Sequence, residues 1–266
     1  MRPGTRFGPG TVRPAGHIFY IPPSDRPTDD RKNRPHFLVN RCDVSSARAA
    51  VATLAHMSTK ATEHTQYGSP FHEIADSTAL TKPDQVGNYV IAARLLARDP
   101  NHLVQSARSA VDDVRSVRRA VLTALGMGKG LAAPGARSVR GRLVRVRDPR
   151  AGSRYGCVLT DHAYSSTRRY QTIVPIMDRV VNGPEGPEIL ELMPWDVAPP
   201  RHSWWDALPF KSPILDTAWM NSLSERWQRG SDRRWWLDPQ IEVLSASIDD
   251  ATLAAVETKI VERLSM

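Results

Sequence analysis

Gly16-His17-Ile18-Phe19-Tyr20-Ile21 returns later in the chain as Gly141-Arg142-Leu143-Val144-Arg145-Val146. Each stretch opens on a glycine and continues as a short apolar run with the period of a strand. The first leads through a charged loop to Arg34-Pro35-His36-Phe37-Leu38-Val39 and then to Val51-Ala52-Thr53-Leu54-Ala55-His56-Met57-Ser58-Thr59. The second leads through a Pro/Gly/Arg loop to Arg154-Tyr155-Gly156-Cys157-Val158-Leu159-Thr160, and then to Tyr170-Gln171-Thr172-Ile173-Val174-Pro175-Ile176-Met177-Asp178. Arg34 precedes Ser58 by 24 positions and Arg154 precedes Met177 by 23. Each set predicts a three-stranded meander, and together they predict an internal repeat of residues 16–126 in 141–266.

Both copies are expected to end on a helix. Leu103, Ala107, Ala110, Val111, Val114, Val117, Val121 and Leu125 recur at helical spacing, and the run stops at Gly126, a natural C-terminal residue. In the second copy Leu253, Val256, Ile260 and Leu264 share one face. That helix is entered through Ser247, with Asp250 three positions on, at the spacing of a capping box.

A length of 266 residues accommodates two domains of ordinary size. The division expected is a flexible basic tail over 1–15, a first domain over 16–133, a linker over 134–140 and a second domain over 141–266. The linker lies in MGKGLAAPGARSVR, where Gly, Pro and Ala break both periodicities. The two cysteines, Cys42 and Cys157, fall at non-equivalent places, which argues against a disulfide framework and for a reducing, cytoplasmic setting. Neither the apolar core of a signal peptide nor a run of about 18 apolar residues occurs, so no membrane segment is expected.

Net charge is +8, and its placement is uneven. Residues 1–60 carry ten Lys or Arg against four Asp, and residues 137–169 carry nine Arg against two Asp. Residues 170–266 reverse the balance, with nine basic and fifteen acidic side chains. The first hairpin of each copy is therefore basic, as a polyanion-binding groove would be; a solvated arginine-rich surface has the same composition. All seven tryptophans fall between 195 and 236, partly within the proline-rich stretch 182–213, which is expected to be loop. Indole beside guanidinium stacks on unpaired bases. Filling a second core or a seam between the copies is the favoured expectation for these rings.

A strand beginning at glycine, a charged loop, Arg-Pro before an apolar strand, a strand ending in a hydroxyl residue and a C-terminal helix form an order that resembles the MazF/PemK family of toxin ribonucleases. The residues that carry it are Gly16, Arg34, Pro35, Phe37, Leu38, Val39, Ser58 and Thr59 in copy one, and Gly141, Arg154, Val158, Leu159, Thr160, Val174 and Pro175 in copy two. The resemblance implies a mainly β chain with C-terminal helices (α+β), built as two SH3-like barrels in tandem, so that one monomer is an intramolecular pseudo-dimer. It implies a toxin–antitoxin endoribonuclease that cuts single-stranded RNA without a metal ion or cofactor and is restrained by an antitoxin protein. By the same resemblance Arg34 is the catalytic arginine and Ser58 the hydroxyl, with Thr59 the alternative one position away. Arg31, Lys32, Arg147 and Arg154 would hold RNA. A guanidinium suits this chemistry because it stays charged and presents paired donors to a phosphate.

The copies depart from the family pattern unequally. His56 stands where the family has proline, either as an acid/base group or, the favoured expectation, as a structural histidine. In copy two Met177-Asp178 replaces the hydroxyl and Arg154-Tyr155 replaces Arg-Pro, so that copy is expected to be catalytically degraded, with a carboxylate that repels phosphate. His56, His64 and His72 recur every eight residues, but the spacing is not that of zinc, and scattered surface histidines are expected. Gly126-Met127-Gly128-Lys129-Gly130 follows a helix and does not open one after a strand, which excludes P-loop geometry. Two other classes fit the composition: a non-catalytic nucleic-acid-binding module, and a protein-interaction scaffold acting through the Trp-rich region.

Overall fold

The computed structural model describes residues 12–21, 35–43, 51–58, 72–75, 88–109, 111–127, 140–148, 152–160, 170–179, 188–198, 208–224, 226–229, 235–238 and 240–265. The chain divides into two units: unit 1 is Met1–Ala124 with Arg263–Met266, and unit 2 is Leu125–Glu262.

In unit 1 the strands are β1 (Val12–Arg13), β2 (His17–Tyr20), β3 (Pro35–Leu38), β4 (Cys42–Asp43), β5 (Ala52–Ser58), β6 (His72–Ala75), β7 (Asn88–Arg98) and β8 (Val104–Ser109), followed by helix α1 (Val114–Ala124). Six of them form a sheet in the order β6-β7-β5-β3-β2-β8, and β1 pairs with β4. Unit 2 contains β9 (Arg142–Asp148), β10 (Gly152–Val158), β11 (Tyr170–Asp178), β12 (Ile189–Glu191), β13 (Val197–Ala198), β14 (Pro213–Asp216), β15 (Asn221–Ser224), β16 (Arg226–Arg229), β17 (Trp235–Asp238), β18 (Gln240–Ile248) and helix α2 (Asp250–Ser265). Its main sheet runs β12-β14-β11-β10-β9-β18-β13, with β15 on β11, while β16 and β17 pair as a separate hairpin.

The two sheets share one plan. The meander β2-β3-β5 corresponds to β9-β10-β11, and the fixed points agree bond for bond. Gly16 N donates to Leu38 O and Gly141 N to Val158 O, both at 2.8 Å; Val39 N donates to Thr53 O and Leu159 N to Thr172 O, both at 2.9 Å. Strand β7 corresponds to β14 and β15 taken together, since each flanks the third strand of its meander. Strands β6 and β12 occupy the next position outward, and β8 and β18 pair with the first strand of the meander just before the helix. The hairpin β16–β17 thus stands where unit 1 has the 3-10 turn Pro100–His102.

The cores repeat in the same way. Phe19, Ile21, Leu38 and Leu54 cluster in unit 1, and Val144, Val146, Val158 and Ile173 in unit 2. Each such side chain, fully buried, contributes roughly 1.5–3 kcal/mol. Helix α1 adds Val117, Ala120, Val121 and Ala124, an i, i+3, i+4, i+7 stripe, and Gly126 follows it at φ 79°. In α2 the expected face is buried at Val256, Ile260 and Leu264, and half-buried at Leu253.

The edges of unit 2's sheet are consecutive in the chain. Flat, seven strands would hold β12 and β13 roughly 29 Å apart at about 4.8 Å per strand. The six Cα steps from Glu191 to Val197 reach about 21 Å at most, and they include the 3-10 turn Pro194–Asp196. The sheet is therefore curled, although β12 and β13 are not paired with each other among the described residues.

Four expectations change. Residues 104–109 form β8 and not the first half of a helix: their hydrogen bonds go to β2, so helical spacing across 103–114 was coincidental. The cap of α2 is Asp249, whose Oδ1 accepts from Thr252 N at 2.7 Å, and Ser247 lies inside β18. Val12–Arg13, within the expected tail, pair with Cys42–Asp43. The proline-rich stretch 182–213 contains β12, the turn Pro194–Asp196 and β13. The expected linker 134–140 is described only at Arg140, whose guanidinium donates to Leu125 O and Leu159 O.

Candidate functional site

In unit 1 the register of β3 on β5 pairs His36 with His56. Cross-strand partners share a face, and both sides of these central strands are covered, so the imidazoles are only 5 % and 2 % exposed. Their ring centroids stand 5.2 Å apart at 81°, edge to face.

Strand β7 then breaks register. Ala55 pairs with Leu95 but the next residue, His56, pairs with Ile91, so Ala92, Ala93 and Arg94 are extra to the ladder. Arg94, the bulge residue next to Leu95, places its Nη1 3.3 Å from His56 Nε2. Arginine has donors only, so Nε2 is the acceptor and the ring proton of His56 resides on Nδ1. The histidine expected to be structural is thus buried, with a defined tautomer; it is not a surface residue of a His56–His64–His72 series. Of that series, His72 lies in β6 and His64 is outside the described residues.

The expected catalytic residues flank this cluster in sequence. Pro35, which opens β3, directly follows Arg34, and Ser58 ends β5 two residues beyond His56. Arg34, Thr59, Arg31 and Lys32 lie outside the described residues, and Ser58 is described by its backbone. In unit 2 the counterpart of His36↔His56 is Gly156↔Pro175. A Cβ on Gly156 would stand 2.3 Å from Ile173 Cγ2 and 2.7 Å from Val174 O, so no side chain fits there. Where β7 bulges, unit 2 has the 3-10 turn Thr217–Trp219 between β14 and β15. Among the described residues, the polar cluster belongs to unit 1 alone.

The basic hairpin of unit 2 has its two candidate RNA contacts on opposite faces. Arg147 pairs with Ser153, whereas Arg154 pairs with Val146, one residue out of phase. Arg147 is 3.2 Å from Glu242 Oε2, which also accepts from Arg145 Nε at 2.9 Å. The Arg145 hydrogen bond holds the Glu242 carboxyl below its usual range. One carboxylate thus serves two arginines, which reduces the charge of that face. Tyr155 on the same face meets Phe210 edge-on at 5.9 Å. Arg154 is exposed.

Asp178, expected to repel phosphate, points away from Met177 by strand alternation, and its Oδ1 accepts from Ser212 N at 2.8 Å. Of the tryptophans, Trp195 and Trp219 lie in 3-10 turns, Trp227 in β16, and Trp235 and Trp236 in β17. Trp204 and Trp205 are outside the described residues. Trp195 is 66 % exposed and fills no core.

Sequence reasoning missed His36 and Arg94. His36 shares the strand Pro35–Leu38 with the expected motif, and the pairing of His36 with His56 could have been found by laying one strand against the other. Arg94 left no such signal, because the run NYVIAARLLAR that becomes β7 has no alternation to fix its register on β5. No described helix is long and apolar enough to cross a membrane. Compared with protein-family models and with curated proteins, the chain matches none.

Proposed function

We propose that the chain is a tandem MazF/PemK-like protein, its two sheets being SH3-like barrels, and that unit 1 is a metal-independent endoribonuclease acting on single-stranded RNA. The observation that carries this is the buried His36–His56–Arg94 cluster, in the two strands that border Arg34 and Ser58, with Gly156 and Pro175 in its place in unit 2. Buried polar groups are costly unless hydrogen-bonded, and a satisfied cluster rigidifies the strands that carry it. Its asymmetry also fits one working unit beside one that has lost its chemistry.

In the reaction the 2′-oxygen of one nucleotide bonds to the adjacent phosphorus and the bond from phosphorus to the 5′-oxygen breaks. A proton leaves the 2′-hydroxyl, another is delivered to the departing 5′-oxygen, and a cyclic phosphate remains. Arg34 meets the charge that builds on the phosphate oxygens, and Ser58 hydrogen-bonds the same oxygens. His56, held by Arg94, acts as a positioning residue for the strand that ends in Ser58. In this reading the partners are single-stranded RNA and an antitoxin protein, and the compartment is the cytoplasm.

The test is cleavage of an end-labelled single-stranded RNA in EDTA by wild type, Arg34→Ala and Ser58→Ala. Cyclic-phosphate ends from wild type, reduced at least a hundredfold in both variants, are expected. Intact RNA after incubation with folded wild-type protein would overturn the assignment and leave a non-catalytic binding module.

A further inference from the structure

Unit 2 gathers different side chains where unit 1 has its site. Met177, Ile214 and Glu191 are neighbours across three adjacent strands. Arg154 lies one step beyond the pair Tyr155↔Ile176, beside Met177. Alternation puts Arg179 on the side of Met177, and its ion pair with Glu191 spans that face. Met193, extended at φ −109° and ψ 158°, follows Glu191 by two residues, and the turn Pro194–Asp196 then presents Trp195.

Met177, Met193 and Trp195 are 39 %, 38 % and 66 % exposed, three of the six large apolar side chains that the described residues leave exposed. The turn beneath the indole is firmly tied. Met193 N donates to Asp196 Oδ2 at 2.8 Å, Asp196 N to Met193 O at 3.0 Å, and Asp249 N to Asp196 O at 2.8 Å. The carboxylate of Glu191 is answered by Arg179, which leaves Arg154 as the excess cation. Arg154 enters no ion pair among the described residues. It sits in a segment, 137–169, with nine Arg to two Asp. A flat ring, two polarizable thioethers and a cation complement an unpaired base joined to a phosphate.

We infer that this face of unit 2 is a binding platform for single-stranded RNA, with a base stacked on Trp195 and a backbone phosphate on Arg154, an assignment that rests on unit 1 being a ribonuclease. Unit 2 then retains substrate where its own chemistry has been lost.

A fluorescein-labelled oligoribonucleotide with every 2′-hydroxyl methylated cannot undergo the transesterification, so its anisotropy reads binding alone. Trp195→Ala is expected to weaken binding by about 5- to 150-fold at every salt concentration, the worth of one stacked base, with Trp195→Phe restoring most of it. Arg154→Ala is expected to lower the slope of log affinity against log salt by about 0.7. Both side chains are exposed, so circular dichroism and melting temperature should match wild type. Equal affinity and equal salt slope in wild type, Trp195→Ala and Arg154→Ala would overturn the platform. So would Trp195-dependent binding of an acidic Glu/Leu-rich peptide with no binding of the methylated RNA, an outcome that makes this face a protein dock. Trp195-dependent binding by a wild type that leaves ordinary RNA intact would uphold the platform and sink the ribonuclease. Cleavage with the same KM in wild type and Trp195→Ala would do the reverse.

Discussion

Gly16 and Gly141 hold the same position in two units but not the same surroundings. Both have positive φ, 90° and 77°, which a side chain makes unfavourable by about 1–2 kcal/mol. At Gly16 a Cβ would also stand 2.6 Å from Val111 Cα and 2.9 Å from Val114 Cγ2, at the entry of α1. At Gly141 the nearest atom is 3.7 Å away. Gly16→Ala is therefore expected to destabilise by about 2–5 kcal/mol and Gly141→Ala by about 1–2, since overpacking adds to the backbone term only at the first. Urea unfolding of the two variants checks this, and equal losses would show that the close approach of Val111 is relieved without cost. Both glycines were legible in the sequence as strand openers, because a turn residue before an apolar run is a local signal. The difference between them was not, because Val111 approaches from almost a hundred residues away.

Among the elements, strands set off by Gly, Pro and Arg punctuation were easy to read, and those without it were not. The meander β2-β3-β5 and its partner β9-β10-β11 follow Gly, Pro and Arg punctuation and lie where the pattern puts them. Asn88–Arg98 carries the run NYVIAARLLAR, without alternation, and becomes the long strand β7 because β5 and β6 both pair with it. Leu103 to Ser109 mimicked a helix for a similar reason, since contacts with β2 outweigh a weak local propensity. For the candidate site, the positions of Arg34 and Ser58 were readable from motif order. The His36–His56–Arg94 grouping depends on cross-strand register and a bulge, which no local pattern encodes. The start of α2 is a further case, where Asp249 takes the cap expected of Ser247. Its bond from Thr252 N–H holds the carboxyl below its ordinary 3.8. A depressed folded value means that the stabilisation is present above pH 3.8 and is lost as pH falls through the lowered value. Asp249→Ala should lose about 1 kcal/mol at pH 7. That deficit should shrink towards pH 2, and Asp249→Asn, which keeps an acceptor but cannot ionise, should lack this pH dependence. Urea titrations at several pH values distinguish the three proteins.

On the scale of the whole molecule, each unit has one thiol. Cys42 and Cys157 are both buried thiols outside any disulfide, and burial pushes Cys157 up to about 12. An aromatic disulfide reagent at pH 8 should therefore label neither cysteine in the native protein and both in guanidinium; rapid native labelling would contradict the packing. Unfolded Cys157 ionises near 9.0 while the folded thiol keeps its proton, so its contribution to stability is intact below pH 9 and declines as pH rises towards 12. Unit 1 is drawn from both ends of the chain, for its last piece is Arg263–Met266. Buried Arg263 donates to Val51 O and, at 3.3 Å, to Thr53 Oγ1, on the strand whose far end carries Ser58. The first segment of unit 1 therefore leaves the ribosome well before the residues that complete the unit. Residues Leu125–Glu262 must all be synthesised before that guanidinium exists, a wait of roughly 7–30 s at ordinary elongation rates. During this time the acceptors at Val51 and Thr53 lack their arginine, and the proposed catalytic strand acquires this support only once Arg263 has been made.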